Sequence, residues 1–317
     1  MWAGLAVIVF ALATAFDYTW FRTFAWPLYF LNLVLLGATL AFGSGVGGVA
    51  RWIQIGPFQV QFSEIAKILM IVVLANFLAR RQDSLQRPWP ILAACLLVGP
   101  PMVLVVLQPD LGTSLVFGAI VAGMLFMSGA SLRWLGLLAA IVVAAVPIAW
   151  TYVLLDYQKQ RLISFLYPTA DPQGSGFQLL QSQIAVGSGG FFGKGLTNGT
   201  QGGFLPIQTT DFVFAKLGEE LGFLGSIVVF ILVTALIWRI LVAGWRSRDP
   251  FGLLVAAGVA SMVFFQFVVN VGMVIGVMPI TGIPLPFITH GGASLISLAF
   301  GLGVLQSINI HQMRAEW

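Results

Sequence analysis

Long apolar runs separated by short polar connections set the plan of this chain. Nine of them read as membrane-spanning α-helices: Trp2–Phe16, Trp26–Phe42, Ile65–Leu78, Pro90–Leu107, Leu111–Met127, Trp134–Leu155, Leu217–Val242, Phe251–Val277 and Ala293–Ile310. Several approach the ~20 apolar residues that cross a hydrocarbon core. None shows the short alternating segments of a barrel strand. Lipid tolerates only helices and closed barrels, so the pattern predicts an all-α polytopic membrane protein. Ile65–Leu78 stands apart as short and amphipathic.

Composition agrees with the pattern. Of 317 residues, 59% are hydrophobic and 8% are charged, where soluble chains carry about a quarter charged. No polar stretch is long enough to fold alone, so one membrane domain, 1–317, is expected. Cys95 is the single cysteine and lies in an apolar run, which excludes intrachain disulfides and a cysteine-based metal site. A pI of 9.5 raises nucleic acid as a partner. In a membrane protein, however, excess Lys and Arg marks cytoplasmic loops.

Charge then assigns sides. One set of connections carries nine basic residues (Arg22, Arg80, Arg81, Arg87, Arg133, Arg239, Arg246, Arg248, Arg314) against four acids. The other carries six (Arg51, Lys67, Lys159, Arg161, Lys194, Lys216) against seven acids. The first set is cytoplasmic by the positive-inside rule, which puts the C-terminus inside and the N-terminus outside. The first run is short, and Met1 begins within an apolar pattern that has no charged leader. A further span ahead of it is therefore expected; the run does not read as a signal peptide.

Nearly all polar chemistry falls on the outer side: 43–64, 108–112, the 55-residue stretch 156–210, and 278–292. The long stretch holds ten glycines, three prolines and an amphipathic piece, Phe177–Val186. Its apolar residues (Leu179, Leu180, Ile184, Phe191, Phe192) predict a segment lying on the membrane surface.

The segment Gly199–Gly222, GTQGGFLPIQTTDFVFAKLGEELG, joins that stretch to an apolar span and holds Asp211, Glu219 and Glu220. A helix from about Thr210 would put Glu219 and Glu220 at the membrane rim. Asp211 would then stand about 13 Å further out, at ~1.5 Å per residue. Asp211 could simply occupy a first helical turn capped by Thr209 or Thr210. Its face argues otherwise: Asp211, Ala215, Gly218, Gly222 and Gly225 form a stripe of small residues that lets another helix approach. Lys216 can pair with Glu219 or Glu220, whereas Asp211 has no cation three or four residues away.

Four other segments carry candidate chemistry. Before the third span, Ser63 reads as a cap, Glu64 as a first-turn acid, and Glu64 and Lys67 as a surface pair contributing about 0–1 kcal/mol. Ionisable groups at the entrance of a span are also functional candidates. Gln108-Pro-Asp-Leu-Gly-Thr-Ser114 reads as a tight turn, with Asp110 capping the next helix. Gly187–Gly195, GSGGFFGKG, fails as a Walker A loop or a dinucleotide fingerprint. It remains open as either a flexible turn or a set of N–H groups that, with Lys194, cradles an anion. Pro279–Ser294 is a broken apolar segment of the kind that lines cavities. His290 and His311 form no metal cluster.

Taken together these segments resemble the SEDS family of bacterial cell-wall polymerases over nearly the whole chain. The matching stretches are Arg51–Lys67, Gln108–Ser114, Asp171–Gln178, Gln181–Gly195, Leu205–Gly222 and Pro279–Phe287. Thr281 before Gly282, and Gly199-Thr200-Gln201, look more like the RodA branch, which serves elongation, than the FtsW branch, which serves division. Phe62 stands where the family usually has Pro, and Thr289-His290-Gly-Gly-Ala293 replaces the usual Ser-Tyr-Gly-Gly-Ser. The family has ten spans, which fits the further span expected here.

The resemblance implies glycosyl transfer at the outer face of the cytoplasmic membrane, with lipid II as donor and acceptor. Such chemistry needs a general base for the acceptor hydroxyl. It needs no protonated acid, because pyrophosphate is a good leaving group once cations screen it. Asp211 is the expected base. Arg51, Glu64, Lys67, Lys194 and Gln201 are the expected substrate-binding residues, with a divalent cation shared by Glu64 as the one cofactor suggested. No S-x-x-K occurs, so cross-linking falls to another chain, in this family a class B penicillin-binding protein. Two alternatives stay open. A lipid II flippase would place ionisable groups at the midplane of inverted repeats, whereas here the acids gather at the rim. A scaffold for the penicillin-binding protein would leave the outer carboxylates unexplained.

Overall fold

The computed structural model describes residues 1–44, 51–56, 58–171, 174–200 and 211–314. Among these residues the α-helices are α1 (Trp2–Ala15), α2 (Tyr18–Thr23), α3 (Ala25–Phe42), α4 (Phe62–Ala79), α5 (Pro88–Leu107), α6 (Leu111–Met127), α7 (Leu132–Tyr152), α8 (Asp156–Leu166), α9 (Ser175–Ser188), α10 (Val213–Trp245), α11 (Pro250–Val274) and α12 (Gly292–Arg314). Each of the nine predicted spans falls on one of them. Seven are long and apolar enough to cross a membrane, and α1 and α6 are shorter apolar helices. The chain is an all-α polytopic membrane protein.

The helices form two compact units, one of Met1–Gly136, Ile237–Phe265 and Gly291–Trp317, the other of Leu137–Leu236 and Gln266–His290. In the first unit α3, α5, α6 and α12 all pack on α4, and α1 lies along α12. Every residue of α4 from Ala66 to Leu78 is buried. This corrects the expectation of a short amphipathic span. The polar residues that made α4 look amphipathic are internal, and a helix covered on all sides is the core of its unit. An ion pair from Arg22 to Asp249, 2.8 Å long, ties α2 to the start of α11.

A small antiparallel hairpin precedes α4: β1 (Ile53–Ile55) and β2 (Phe58–Val60), with Ile53 opposite Val60 and Ile55 opposite Phe58. Its signal is the alternation Ile-Gln-Ile on one side of Gly56 and Phe-Gln-Val on the other.

In the second unit, α8 and α9 pack on each other, so much of the expected outer loop is helical. The predicted amphipathic piece Phe177–Val186 lies within α9. Its buried face, Gly176, Leu179, Ser182 and Ala185, recurs every third residue. Ser182 donates to the carbonyl of Val274 at 2.9 Å, fixing α9 to the end of α11. Helix α7 has no buried residue, as suits an apolar helix facing hydrocarbon.

Candidate active site

Helix α10 is two helices joined at a break. Gly222 has φ 65° and ψ −159°, a conformation open only to glycine. An unbroken helix would send the N–H groups of Phe223 and Leu224 to the carbonyls four residues back, at Glu219 and Glu220. Instead they donate to the carbonyls of Gly190 (2.9 Å) and Phe191 (3.2 Å). The stranded carbonyls of Glu219 and Glu220 accept from the N–H groups of Lys194 and Gly195, both at 3.0 Å. The glycine-rich loop therefore replaces two helical hydrogen bonds with four.

Both glycines at this crossing are required. A Cβ on Gly222 would stand 2.3 Å from the nitrogen of Gly193, and one on Gly193 would stand 2.2 Å from the carbonyl oxygen of Glu220. The small-residue stripe below Asp211 thus does not run along one continuous helix, as the spacing predicted. The loop amides are also committed: Gly193 N–H to the Gly189 carbonyl, and those of Lys194 and Gly195 to the break. An anion cradle made from these amides is not what the loop builds.

The side chains reinforce the clasp. Glu219, fully buried, accepts from Lys194 Nζ at 2.7 Å and from the Thr200 N–H at 2.8 Å. Lys216 pairs with Glu220 at 3.8 Å. Beside the break lies an apolar cavity of about 340 Å³, lined by Val186, Gly218, Gly222, Phe230, Val271 and Ile275 among others.

Asp211 sits two residues ahead of α10, half-buried. The capping threonines expected before it, Thr209 and Thr210, lie outside the described residues, as does Gln201. The main chain of Asp211 is anchored by Asn270 of α11. The Asn270 Nδ2 donates to the carbonyl of Asp211 at 3.1 Å and to that of Ile283 at 2.7 Å. One amide group thus joins the start of α10 to the proline-rich segment. Next to Ile283, Gly282 has φ +74°, and the nearest side-chain atoms to a Cβ built there are Asp211 Oδ2 at 3.4 Å and Arg161 Nη1 at 3.8 Å. Arg161 comes from α8, its guanidinium carbon 5.8 Å from the centre of the Tyr157 ring one turn earlier.

A carboxylate, a guanidinium and a glycine corner therefore meet, held by a buried amide. Sequence reading placed Arg161 only in the charge tally and passed over Asn270. The second had a signal, since a polar residue inside an apolar span is a functional candidate. Arg161 had none beyond its charge.

The remaining expected residues belong to the first unit. Glu64 and Lys67 pair at 2.7 Å with side-chain exposures of 3% and 1%. They are a buried ion pair, not the surface pair that the spacing suggested. Helix α4 starts at Phe62 with Gln61 at its N-cap, so Ser63 lies inside the first turn and caps nothing. Gln61 Nε2 donates to Asp110 Oδ2 at 3.1 Å. Asp110 caps α6 as expected, accepting from the Thr113 N–H at 3.2 Å. The Arg51 guanidinium donates to the carbonyl of Pro109, and Gln108 Nε2 donates to that of Leu36 at 2.8 Å. The tight turn is thereby fastened to the hairpin side and to α3.

Glu64 Oε1 faces the Lys67 ammonium at 2.7 Å, and its Oε2 is buried without a hydrogen-bond partner. Among the described residues no group of three His, Cys, Asp or Glu side chains is placed to hold a metal.

Comparison with known proteins shows the family of the chain. The profile of the FtsW/RodA/SpoVE family, described as cell cycle proteins, matches residues 1–314. The chain is 41% identical over 289 residues to the peptidoglycan glycosyltransferase MrdB of Escherichia coli K12, covering 90% of this chain and 77% of that one. It is 37% identical over 318 residues to stage V sporulation protein E of Bacillus subtilis, covering 98% and 85%. In structure it matches a chain of a peptidoglycan synthase complex that coordinates polymerization and crosslinking, with a TM-score of 0.83, 31% identity and coverage of 98% and 88%. The crystal structure of the Thermus thermophilus rod-shape-determining protein RodA matches with a TM-score of 0.71, 30% identity and coverage of 98% and 85%. With the full span of its described helices matched, the chain belongs to the FtsW/RodA/SpoVE family.

Proposed function

We propose that this protein is a peptidoglycan glycosyltransferase that polymerises lipid II at the outer face of the cytoplasmic membrane, in cell elongation. The observation that carries the reading is the placement of Asp211. Its main chain is pinned by Asn270, the residue is half-buried, and its Oδ2 lies close to the Gly282 corner. A base must be held still and must also reach a substrate proton.

In the proposed step Asp211 takes the proton of the acceptor hydroxyl while that oxygen bonds to the anomeric carbon of the donor. The bond from that carbon to the pyrophosphate oxygen breaks, and the lipid pyrophosphate leaves with the electron pair. No group needs to protonate it, which sets the chemistry apart from glycoside hydrolysis by two carboxylates. The apolar cavity beside Gly222 suits a stretch of the polyprenyl chain.

Arg51 and Lys194 keep exposed surface and are the proposed cationic contacts to substrate, with Gln201 as a polar one. Glu64 and Lys67 are too buried to touch a pyrophosphate directly. Their proposed part is to fix the start of α4. The proposed partner is a class B penicillin-binding protein. The resemblance supports it, as does the likeness to a chain of a complex that also cross-links.

The test is incubation of the purified protein and its partner with labelled lipid II, in detergent and in liposomes. Glycan ladders support the polymerase. Movement of lipid II across the bilayer without polymer would replace it with the flippase reading.

A further inference from the structure

Two tight connections meet at one end of the first unit: 80–87, between α4 and α5, and 128–131, between α6 and α7. They are fastened to each other twice. Gln86 Nε2 donates to the carbonyl of Gly129 at 2.9 Å, and the Ser131 N–H donates to that of Leu85 at 3.4 Å. Leu85 and Ala130 are buried, so the joint is packed as well as hydrogen-bonded. Four exposed arginines stand on or beside it: Arg80 and Arg81 where α4 ends, Arg87 at the N-cap of α5, and Arg133 in the first turn of α7. Arg80 gives its Nε to Asn76 Oδ1 at 3.1 Å. Arg81 lies over the Phe77 ring, 4.0 Å from its centre, and gives one Nη to the Phe77 carbonyl. Among the described residues none of the four forms an ion pair, nor does Asp83, the one acid in the two connections. Four arginines against one acid leave the joint at +3.

We infer that this joint binds the phosphates of an anionic phospholipid, preferring a two-phosphate lipid of the cardiolipin class. The inference needs only that the chain spans a membrane and is independent of its reading as a polymerase. Helices α4, α5 and α7 are each long and apolar enough to cross, so their shared end lies at headgroup depth. Guanidinium forks match phosphate oxygens in pairs, and the four arginines carry more charge than one phosphate neutralises. What favours a lipid over an acidic protein is the order of side chains down the helices. In α5 and α7 a tryptophan follows the arginine within two residues, Trp89 after Arg87 and Trp134 after Arg133. Trp89 is 68% exposed, and the exposed apolar side chains of Leu92 and Leu96 come next. Cation, indole and hydrocarbon in that order follow a lipid from headgroup to acyl chain.

Thermal melting of the full-length purified chain in neutral detergent tests this, with cardiolipin, phosphatidylglycerol or phosphatidylcholine titrated in. A ligand that binds the folded state raises the melting temperature with its concentration. Cardiolipin is expected to act at the lowest concentration, phosphatidylglycerol at a higher one, and phosphatidylcholine not at all. Arg87→Gln with Arg133→Gln is expected to raise the half-saturating cardiolipin concentration about 25-fold, at a factor of about five per arginine. Arg239→Gln with Arg246→Gln removes the same charge outside the two connections and is expected to leave that concentration unchanged. Equal action by cardiolipin and phosphatidylcholine would overturn the inference. So would a control pair that loses as much as the joint pair. Glycerol phosphate acting at the concentration of cardiolipin would show that the lipid part is not read, against the inference. Polyglutamate that raises melting where cardiolipin does not would replace the lipid with an acidic protein segment. If the joint pair melts early without lipid, native mass spectrometry of the folded protein decides. Fewer retained cardiolipin molecules than in the control pair support the site, and an equal number sinks it.

Discussion

Asn270 holds Asp211 by its main chain, not by its carboxylate: the side-chain amide donates to the Asp211 carbonyl at 3.1 Å. The same nitrogen reaches the Ile283 carbonyl at 2.7 Å, and Asn270 is fully buried. Replacing it with leucine leaves two carbonyls without this donor, at about 1–3 kcal/mol for a buried unsatisfied group. Asn270→Leu is expected to lower the melting temperature and to cut polymerisation by at least about tenfold, because a misplacement near 1 Å carries about that penalty or more. Steady-state assays should place the loss in kcat more than in KM.

The break in α10 makes a sharper demand on one residue. Gly222→Ala puts a side chain into a positive-φ position and within 2.3 Å of the Gly193 nitrogen. The backbone strain alone is worth about 1–3 kcal/mol, before displacement of the loop. Thermal melting should show a loss larger than that of Gly225→Ala, where the nearest clash is the side chain of Leu221. A Gly222→Ala protein that melts like wild type would mean that the loop does not close the break in solution.

Glu219 and Lys194 lock the same loop. Removing Lys194 takes the ammonium from a fully buried carboxylate that keeps the Thr200 N–H as a donor, so Lys194→Met is expected to destabilise by about 1–3 kcal/mol. This is below the usual figure for a buried pair, because Lys194 is 29% exposed and partly screened. The double variant Glu219→Gln, Lys194→Met should lose less than the sum of the two single changes. Additivity would show that the pair is not coupled.

The Glu64–Lys67 pair is buried on both sides and answers to a stricter rule. Lys67→Met alone leaves an uncompensated charge inside α4, at about 3–5 kcal/mol. Adding Glu64→Gln should recover part of that loss, because a neutral amide no longer needs the ammonium. Expression level and melting temperature of the two variants and the wild type give the order directly.

The spans were legible because long apolar runs have few other readings, and all nine fall on helices. What misled was polarity inside them. Lys67 and Asn76 gave the third span an amphipathic look, when both are buried in the most enclosed helix of its unit. The break at Gly222 was hidden for a different reason. A stripe of small residues reads as helix packing, and only the hydrogen bonds from Gly190 to Gly195 reveal that the close neighbour is a loop. Asp211 could be singled out from its position and from resemblance. Arg161 could not, because its meeting with Asp211 depends on how α8 folds against α9 and on the turn at Gly282.

The central claim is that Asp211 is the base of a glycosyl transfer. Its most direct test is the single-turnover rate of lipid II polymerisation by Asp211→Asn, which keeps the shape of the side chain and removes its basicity. A fall of about 10²–10⁴-fold is expected, the usual contribution of a general base, with melting temperature and lipid II binding close to wild type. A rate within a few-fold of wild type would contradict the account and leave the proton to another group.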